Sequence, residues 1–414
     1  MILRILAISG IFIAASIAWI ILGSTISSRT QRMGDRLSPR IESVWGTRQA
    51  QWAPAGGVEV ENRLLEEIEE DGKKKKVVKT VLRELPLCPA QSRIRVALDL
   101  EHRQKGMLWY STYTVAFDGN YGFQNPDPEG RVIILRFPLP AEQALYDGLQ
   151  ISADGRPLPL AMKGGGLEYR WEAGPSQKMQ FGVRYKSQGL GGWRYGFGEK
   201  VTEVHDFDLQ MNTNFAQIDF ADSSLAPVRK TRTPKGWQLD WQYQNLLSGF
   251  PIALEMPEKL QPGPLAAEIA YFAPVSLFFY FFLLFLVTTL RGMDLHPMNY
   301  FFLAGAFFAF HLLLAYLMDQ IDLHLSFLVA SAVSIGLTTS YLRLVTGASF
   351  AFREAAVGQF IYLILFSYAF FFQGLTGLTI TIGAIATLFV AMQATGRIRW
   401  SEKFGKPLPP PLAV

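Results

Sequence analysis

Residues 271–392 form one nearly continuous apolar stretch and residues 5–22 form a second, while residues 24–265 between them read as ordinary water-soluble sequence. A chain distributed in this way has to satisfy two solvents. The hydrocarbon core of a bilayer, about 30 Å thick, takes about 20 apolar residues per helix. Cut at its polar interruptions, the long stretch predicts five spanning helices near 272–290, 299–318, 324–342, 357–372 and 376–393. With residues 5–22 they make six. Composition agrees: half of the 414 residues are apolar and 31 are Phe, and the mean hydropathy is +0.17, all high for a soluble domain.

The first run, ILAISGIFIAASIAWIIL, has Arg4 ahead of it and no A-x-A pattern behind it. It is expected to stay as an anchor rather than to be removed as a signal peptide. Orientation follows from where short loops keep their basic residues. Arg291, then Arg343 and Arg353, then Arg397, Arg399, Lys403 and Lys406 mark three flanks, whereas the alternate turns DQIDLH (319–324) and QGLTG (373–377) contain neither Lys nor Arg. Both termini are therefore expected in the cytoplasm, with an anchor at 1–23, a stalk and β-rich domain at 24–268 on the opposite side, a five-helix bundle at 269–396 and a basic, Pro-rich tail at 397–414. Arg29, Arg32, Arg36 and Arg40 oppose this orientation, but long loops translocate largely regardless of charge.

In RGMDLHP (291–297), Arg291 stops one helix, Gly292 frees the backbone, and Pro297 sits where a helix tolerates proline in its first turn. Asp294 and Pro297 make a helix-start signature, and His296 between them is expected to cap or bond the entry to the third helix. A net charge of +4 without interleaved aromatics excludes a nucleic-acid footprint. Cys88, the single cysteine, excludes an internal disulfide and a thiolate metal cage.

The segment after the anchor has a loose helical pattern without a long apolar face and reads as a stalk. In LLEEIEEDGKKKKVVKTVL, a two-residue turn at Asp71-Gly72 would set Glu70 opposite Lys73, Glu69 opposite Lys74 and Glu67 opposite Lys76. From Ile94 to Met256, short alternating runs such as LWYSTYTVAF, RVIILRF and WQLDWQY are punctuated by turns such as FDGNYG and SADGRP. No run is suited to a crossover helix. The fold class expected is an α-helical membrane protein of six transmembrane helices with an all-β, sandwich-like antiparallel domain inserted between helices 1 and 2.

Catalytic patterns are sparse. The histidines at 102, 205, 296, 311 and 324 show no H-E-x-x-H spacing, and no G-x-S-x-G elbow or P-loop occurs. GLGGWRYGFG (189–198) has no helix after it to hold a phosphate and reads as a strand-joining loop. VTEVHDFDLQ gathers Glu203, His205, Asp206 and Asp208, but alternation puts the first two on one face of a strand and the last two on the other. In the third helix, Tyr300 and His311 are about 20° apart at 100° per residue and share a face with Ala304, Phe307 and Ala315. Ionisable groups at this depth mark either function or a satisfied helix contact. The structural reading bonds His311 to a neighbouring helix through Ser331, Ser334 or Gln359 and takes Asp319 to the outer interface.

Several phrases together resemble the CreD family of inner-membrane, cell-envelope integrity proteins. LHPMNYFFLAGAFFAFHLLLAYL is similar to the family's I-H-P-x-x-Y helix through His296, Pro297 and Tyr300. VWGTRQAQWAP (44–54) resembles its W-G-x-x-Q-x-x-x-x-P segment, and RQKGMLWYSTYTVAFDG (103–119) its R-x-RG-I-F-x-x-x-x-Y segment, with Lys105 and Met107 in place of Arg and Ile. FLVASAVSIGLTTSYLRLV and VAMQATGRIRW match its fourth helix and its T-R-R-V-D-W ending, where Arg399 replaces the aspartate. The family's acidic E-D-Y-A-L-L turn is QGLTGLTIT here. The resemblance implies a bacterial inner-membrane protein of the envelope-stress response, linked to two-component control and altered β-lactam response, with no biochemical activity attached.

The expected function is therefore non-enzymatic, without cofactor or metal: a periplasmic β-domain engages an envelope protein or cell-wall component, and the bundle, among membrane lipids, is its scaffold. A transporter or lipid-handling protein using the His311 face would instead need a water-accessible cavity between the third, fourth and fifth helices. A membrane-bound enzyme would be built around Glu203, His205 and Asp208.

Overall fold

The structure is a computed structural model that describes residues 2–70, 73–141, 144–159, 161–198, 202–372 and 374–396. The chain divides into two compact units, one made of residues up to 35 with those from 260 onward, the other of Arg36–Lys259.

The first departure from expectation is helix α1, which runs unbroken over Ile2–Trp45, with Pro39 inside it. The separate anchor and stalk are one helix. Once the apolar segment has nucleated a helix, extending it through polar residues costs little, so amphipathicity is not needed to continue it. Termination is local: Gly46 takes φ +85°, its N–H bonds the Glu42 carbonyl at 2.9 Å, and a Cβ there would lie 2.6 Å from the Gln188 carbonyl oxygen.

The sandwich-like antiparallel insert is overturned by the strand pairing: among the described residues, seventeen strands form three sheets of four, five and eight. The four-stranded sheet orders Gln49–Trp52, Gly192–Gly196, Ile252–Glu255 and Asp219–Phe220. The five-stranded sheet contains the long hairpin Ala55–Glu70/Lys73–Leu87, whose backbone register sets Glu70 opposite Lys73 and Glu67 opposite Lys76. Asp71 and Gly72 lie outside the described residues. The eight-stranded sheet orders Arg229–Arg232, Trp237–Ser248, Thr202–Thr213, Gln91–Lys105, Leu108–Gln124, Lys178–Leu190, Tyr146–Ala153 and Arg156–Leu158. Two pairings are parallel, Gln49–Trp52 with Gly192–Gly196 and Thr202–Thr213 with Gln91–Lys105. Alternation states which face a residue takes, not which strand lies beside it; that is why the pattern read as a two-layer antiparallel domain.

The alternation buries one face of these strands in a single apolar core that includes Phe117, Tyr185, Leu209 and Trp241. Phe117 and Tyr185 stack with centroids 5.1 Å apart. The core also takes in polar groups from the segment after α1. Gln49 donates to Ser187 Oγ at 2.7 Å and to the Gln188 carbonyl, and Gln51 accepts the Tyr185 hydroxyl at 2.7 Å.

The other unit adds α2 (Pro262–Leu290), α3 (Pro297–Leu317), α4 (Leu323–Thr346), α5 (Ala348–Phe371) and α6 (Thr376–Thr395). With α1, six helices among the described residues are long and apolar enough to cross a membrane. Helix α5 starts at Ala348, earlier than the pattern suggested, and contains π-helical turns at Ala351–Ala355 and Phe360–Leu365. The apolar core of this unit draws Trp19, Leu277, Phe307 and Leu363 from four helices.

Candidate functional site: the polar face of the eight-stranded sheet

The residues singled out in the helices do not form one site. His296 is the N-cap of α3, its Nδ1 accepting from the Met298 N–H at 3.2 Å, and Pro297 is the first helical residue. Tyr300 is fully buried edge-on to Phe281 of α2, its hydroxyl facing Thr288 and Arg4 outside hydrogen-bond geometry. His311, about three turns on, bonds its own helix through Nδ1 and the Phe307 carbonyl at 2.8 Å, and packs edge-on to Trp19 of α1. This corrects the expected bond to Ser331, Ser334 or Gln359: Gln359 donates to Ser334 Oγ and Ser334 to the Ala306 carbonyl, a chain on a different side of α3. Asp319 does more than reach an interface, since it pairs with Arg29 of α1 at 2.8 Å with its side chain 9% exposed.

In the β unit, one run of charged and amide side chains lies instead on the solvent-facing side of the eight-stranded sheet, apart from the Arg136–Glu84–Glu168 network of the five-stranded sheet. Register places Arg229, Asp240, Gln210, Arg95, Asp118, Arg184 and Gln150 directly opposite one another on seven successive strands. An adjacent row aligns Gln242, Asp208, Arg93 and Asn120. Facing side chains on paired strands are about 5 Å apart, so each row is a continuous polar ridge on a rigid backbone.

Most charges in the rows are paired or hydrogen-bonded by neighbouring side chains. Arg229 meets Asp240 at 2.9 Å, Arg184 meets Asp118 at 2.7 Å, and Gln242 donates to Asp208 at 2.8 Å. Arg93 grips Asp206 twice, carboxylate and carbonyl each at 2.6 Å. Asp206 holds φ +40°, which turns its carboxylate toward Arg93 and Gln91. Hydrogen bonds from Gln91 and then Arg93 keep its carboxyl below the ordinary carboxylate range. Burial works against ionisation of Asp240, yet the hydrogen bonds from Arg229, Gln210 and Gln238 hold it low as well. Arg95 differs: its guanidinium has no hydrogen bond or ion pair among the described residues, because Asp118 opposite it is committed to Arg184.

Two hollows of about 530 and 540 Å³ adjoin along this face, sharing Arg95, Asp118 and Arg184. The first exists because Ala97 and Ala116 are short residues among long ones, walled by Arg184, Gln150, Asn212 and Lys186, the last with Asp147 opposite it on the neighbouring strand. Chemically the face offers fixed guanidinium donors, carboxylate acceptors and amides that do both, an arrangement for holding a polar molecule. Of the VTEVHDFDLQ residues, Asp206 and Asp208 lie here, while His205 Nδ1 contacts Asn245 Oδ1 at 2.9 Å and its Nε2 lies 3.5 Å from Glu203. No three His, Cys, Asp or Glu side chains among the described residues gather as a metal site. Sequence reasoning missed Arg93, Arg95, Asp118 and Arg184. The alternating SRIRVALDL put both arginines on the solvent side of a strand, but only the pairing shows what they face.

No protein-family model matches the chain, and no curated protein matches it by sequence. Among solved structures, a Legionella pneumophila protein provisionally described as nutrient binding is 10% identical over 47% of this chain and 74% of its own, with TM-score 0.31. An M1 zinc metallopeptidase of Deinococcus radiodurans is 11% identical over 78% of this chain and 95% of its own, with TM-score 0.28. Likenesses at this level carry no argument about this chain's fold or chemistry.

Proposed function

We propose that this chain is a CreD-like protein of the bacterial inner membrane whose β unit lies in the periplasm, holds an envelope component on its polar sheet face and so supports envelope integrity, with the apolar helices as scaffold. The observation that carries this reading is the polar face itself. It is a wide surface with prearranged charges and two hollows, in a protein whose other unit consists of helices apolar enough for lipid. Short-loop basic residues supply the orientation, with Arg291, Arg343 and Arg353 on one side and none in the alternate turns.

The transporter alternative loses its support from His311, which sits 3% exposed among aromatic rings and its own helix.

The single cysteine provides the test. Cys88 lies in the β unit and is exposed, so a membrane-impermeant maleimide should label it in cells whose outer membrane alone has been permeabilised. Met293→Cys in a Cys88→Ser background should label only after lysis. In the same cells, a photocrosslinker at Asn120 should capture an envelope molecule. Labelling of Cys88 only after the inner membrane is broken would end this reading.

A further inference from the structure

We propose that the polar sheet face binds an anionic glycan, with Arg95 holding the anion and the flanking amides and carboxylates holding the sugar hydroxyls. This deepens the proposed function, on which it rests for the ligand's place in the envelope, and it names the ligand's chemistry.

Three guanidiniums of the two rows are already neutralised, Arg93 by Asp206, Arg184 by Asp118 and Arg229 by Asp240. Arg95 sits between them with none of its donors bonded to a described residue. Its neighbours in register are Gln210 and Asp118, one neutral and the other bound elsewhere. A guanidinium presents paired N–H donors that match a carboxylate or a phosphate. Held on a central strand of a paired sheet, its backbone needs little ordering on binding, which lowers the cost of association. It borders both hollows, so an anion at Arg95 would leave its carrier extending over Ala97 and Ala116 toward Asn212, or toward Asp208. Those side chains suit hydroxyl groups. The rings beneath the floor, Phe117 and Tyr185, are 1% exposed each and give a planar aromatic ligand no stacking surface. The combination selects a polyhydroxylated carrier over a nucleobase.

The experiment is equilibrium binding to the full chain in phosphatidylcholine nanodiscs, using trigalacturonate, mannose 6-phosphate and the neutral trisaccharide maltotriose. At least one anionic probe should bind saturably, at least tenfold more tightly than maltotriose and more weakly as salt rises; the tighter of the two identifies carboxylate or phosphate as the preferred anion. Arg95→Gln should weaken it at least tenfold. Asn212→Phe, which narrows the first hollow beside Ala97 and keeps the Arg95 guanidinium, should weaken it as well, and Arg194→Gln, an exposed cation of another sheet, should not. The proposal is overturned if no probe binds saturably, if maltotriose binds as tightly, or if Arg95→Gln and Asn212→Phe, each with an unchanged thermal transition, leave affinity as it was. Purified protein reports on the site whichever side of a membrane the β unit occupies, so binding with reversed Cys88 labelling sinks the placement alone, and normal labelling without binding sinks the site alone.

Discussion

At the scale of single residues, the β unit depends on polar groups whose partners leave them no substitute. Gln51 is fully buried, accepts the Tyr185 hydroxyl and donates to the carbonyls of Trp52 and Pro138. Gln51→Leu would strand those groups in the core, where an unmet polar group costs about 1–3 kcal/mol; chemical denaturation should show a loss of that size. Asp206 and Asp240 make a different prediction. Both carboxyls are held below their ordinary value of 3.8, so their contribution is fully present above that value and is lost as pH falls through the lowered ones. The β unit should therefore keep these contributions from pH 7 to about 4 and lose them in more acid solution. Asp206→Asn should flatten the acid limb of a stability–pH curve and leave the neutral range without added slope.

At the scale of elements, α1 and α3 are tied at three levels. Arg4 pairs with Asp294, just before α3, at 2.8 Å; Trp19 meets His311 at its middle; Arg29 pairs with Asp319 just after it. These contacts run in the same order along both helices, so α1 and α3 are parallel. Arg4 and Arg29 are 25 residues apart, about 38 Å at 1.5 Å per residue, somewhat more than the hydrocarbon thickness of about 30 Å. The two ion pairs thus bracket a lipid-sized length. Arg29 is 35% exposed, so Arg29→Gln should cost on the order of 1 kcal/mol rather than the larger penalty of a buried pair. Unfolding in detergent measures it, and Arg29→Asp with Asp319→Arg should recover part of the loss if the pairing is what matters.

At the scale of the whole molecule, the two units have separate apolar cores with no residue in common, one in the sheets and one among the helices. Trp241 is fully buried in the first, with its indole N–H donating to the Leu225 carbonyl at 2.9 Å. Trp241→Ala should cost about 3–5 kcal/mol and lower the β-sheet transition in thermal circular dichroism while leaving the helical one in place. A shift of both transitions together would mean that the units unfold as one.

What the sequence determined by itself was local. Preference for lipid or water is a property of each segment, so the positions of α3 and α4 and the end of α2 were legible within a few residues, whereas α2 begins at Pro262, ten residues before the expected start; the start of α3, where His296 and Pro297 adjoin, was legible too. The register of the hairpin through residues 70 and 73 was legible for the same reason, since a short turn leaves little freedom. What only the tertiary structure decided was which distant segments meet. Residues 207–213 run parallel to 92–98 across more than a hundred intervening positions, and every alternating strand was an equally good candidate for that place. The partition into three sheets, the polar rows, an Arg95 guanidinium without a partner among the described residues and the Arg29–Asp319 pair all follow from such long-range choices. They are made by the packing of whole faces, which residue patterns along a single strand or helix do not encode.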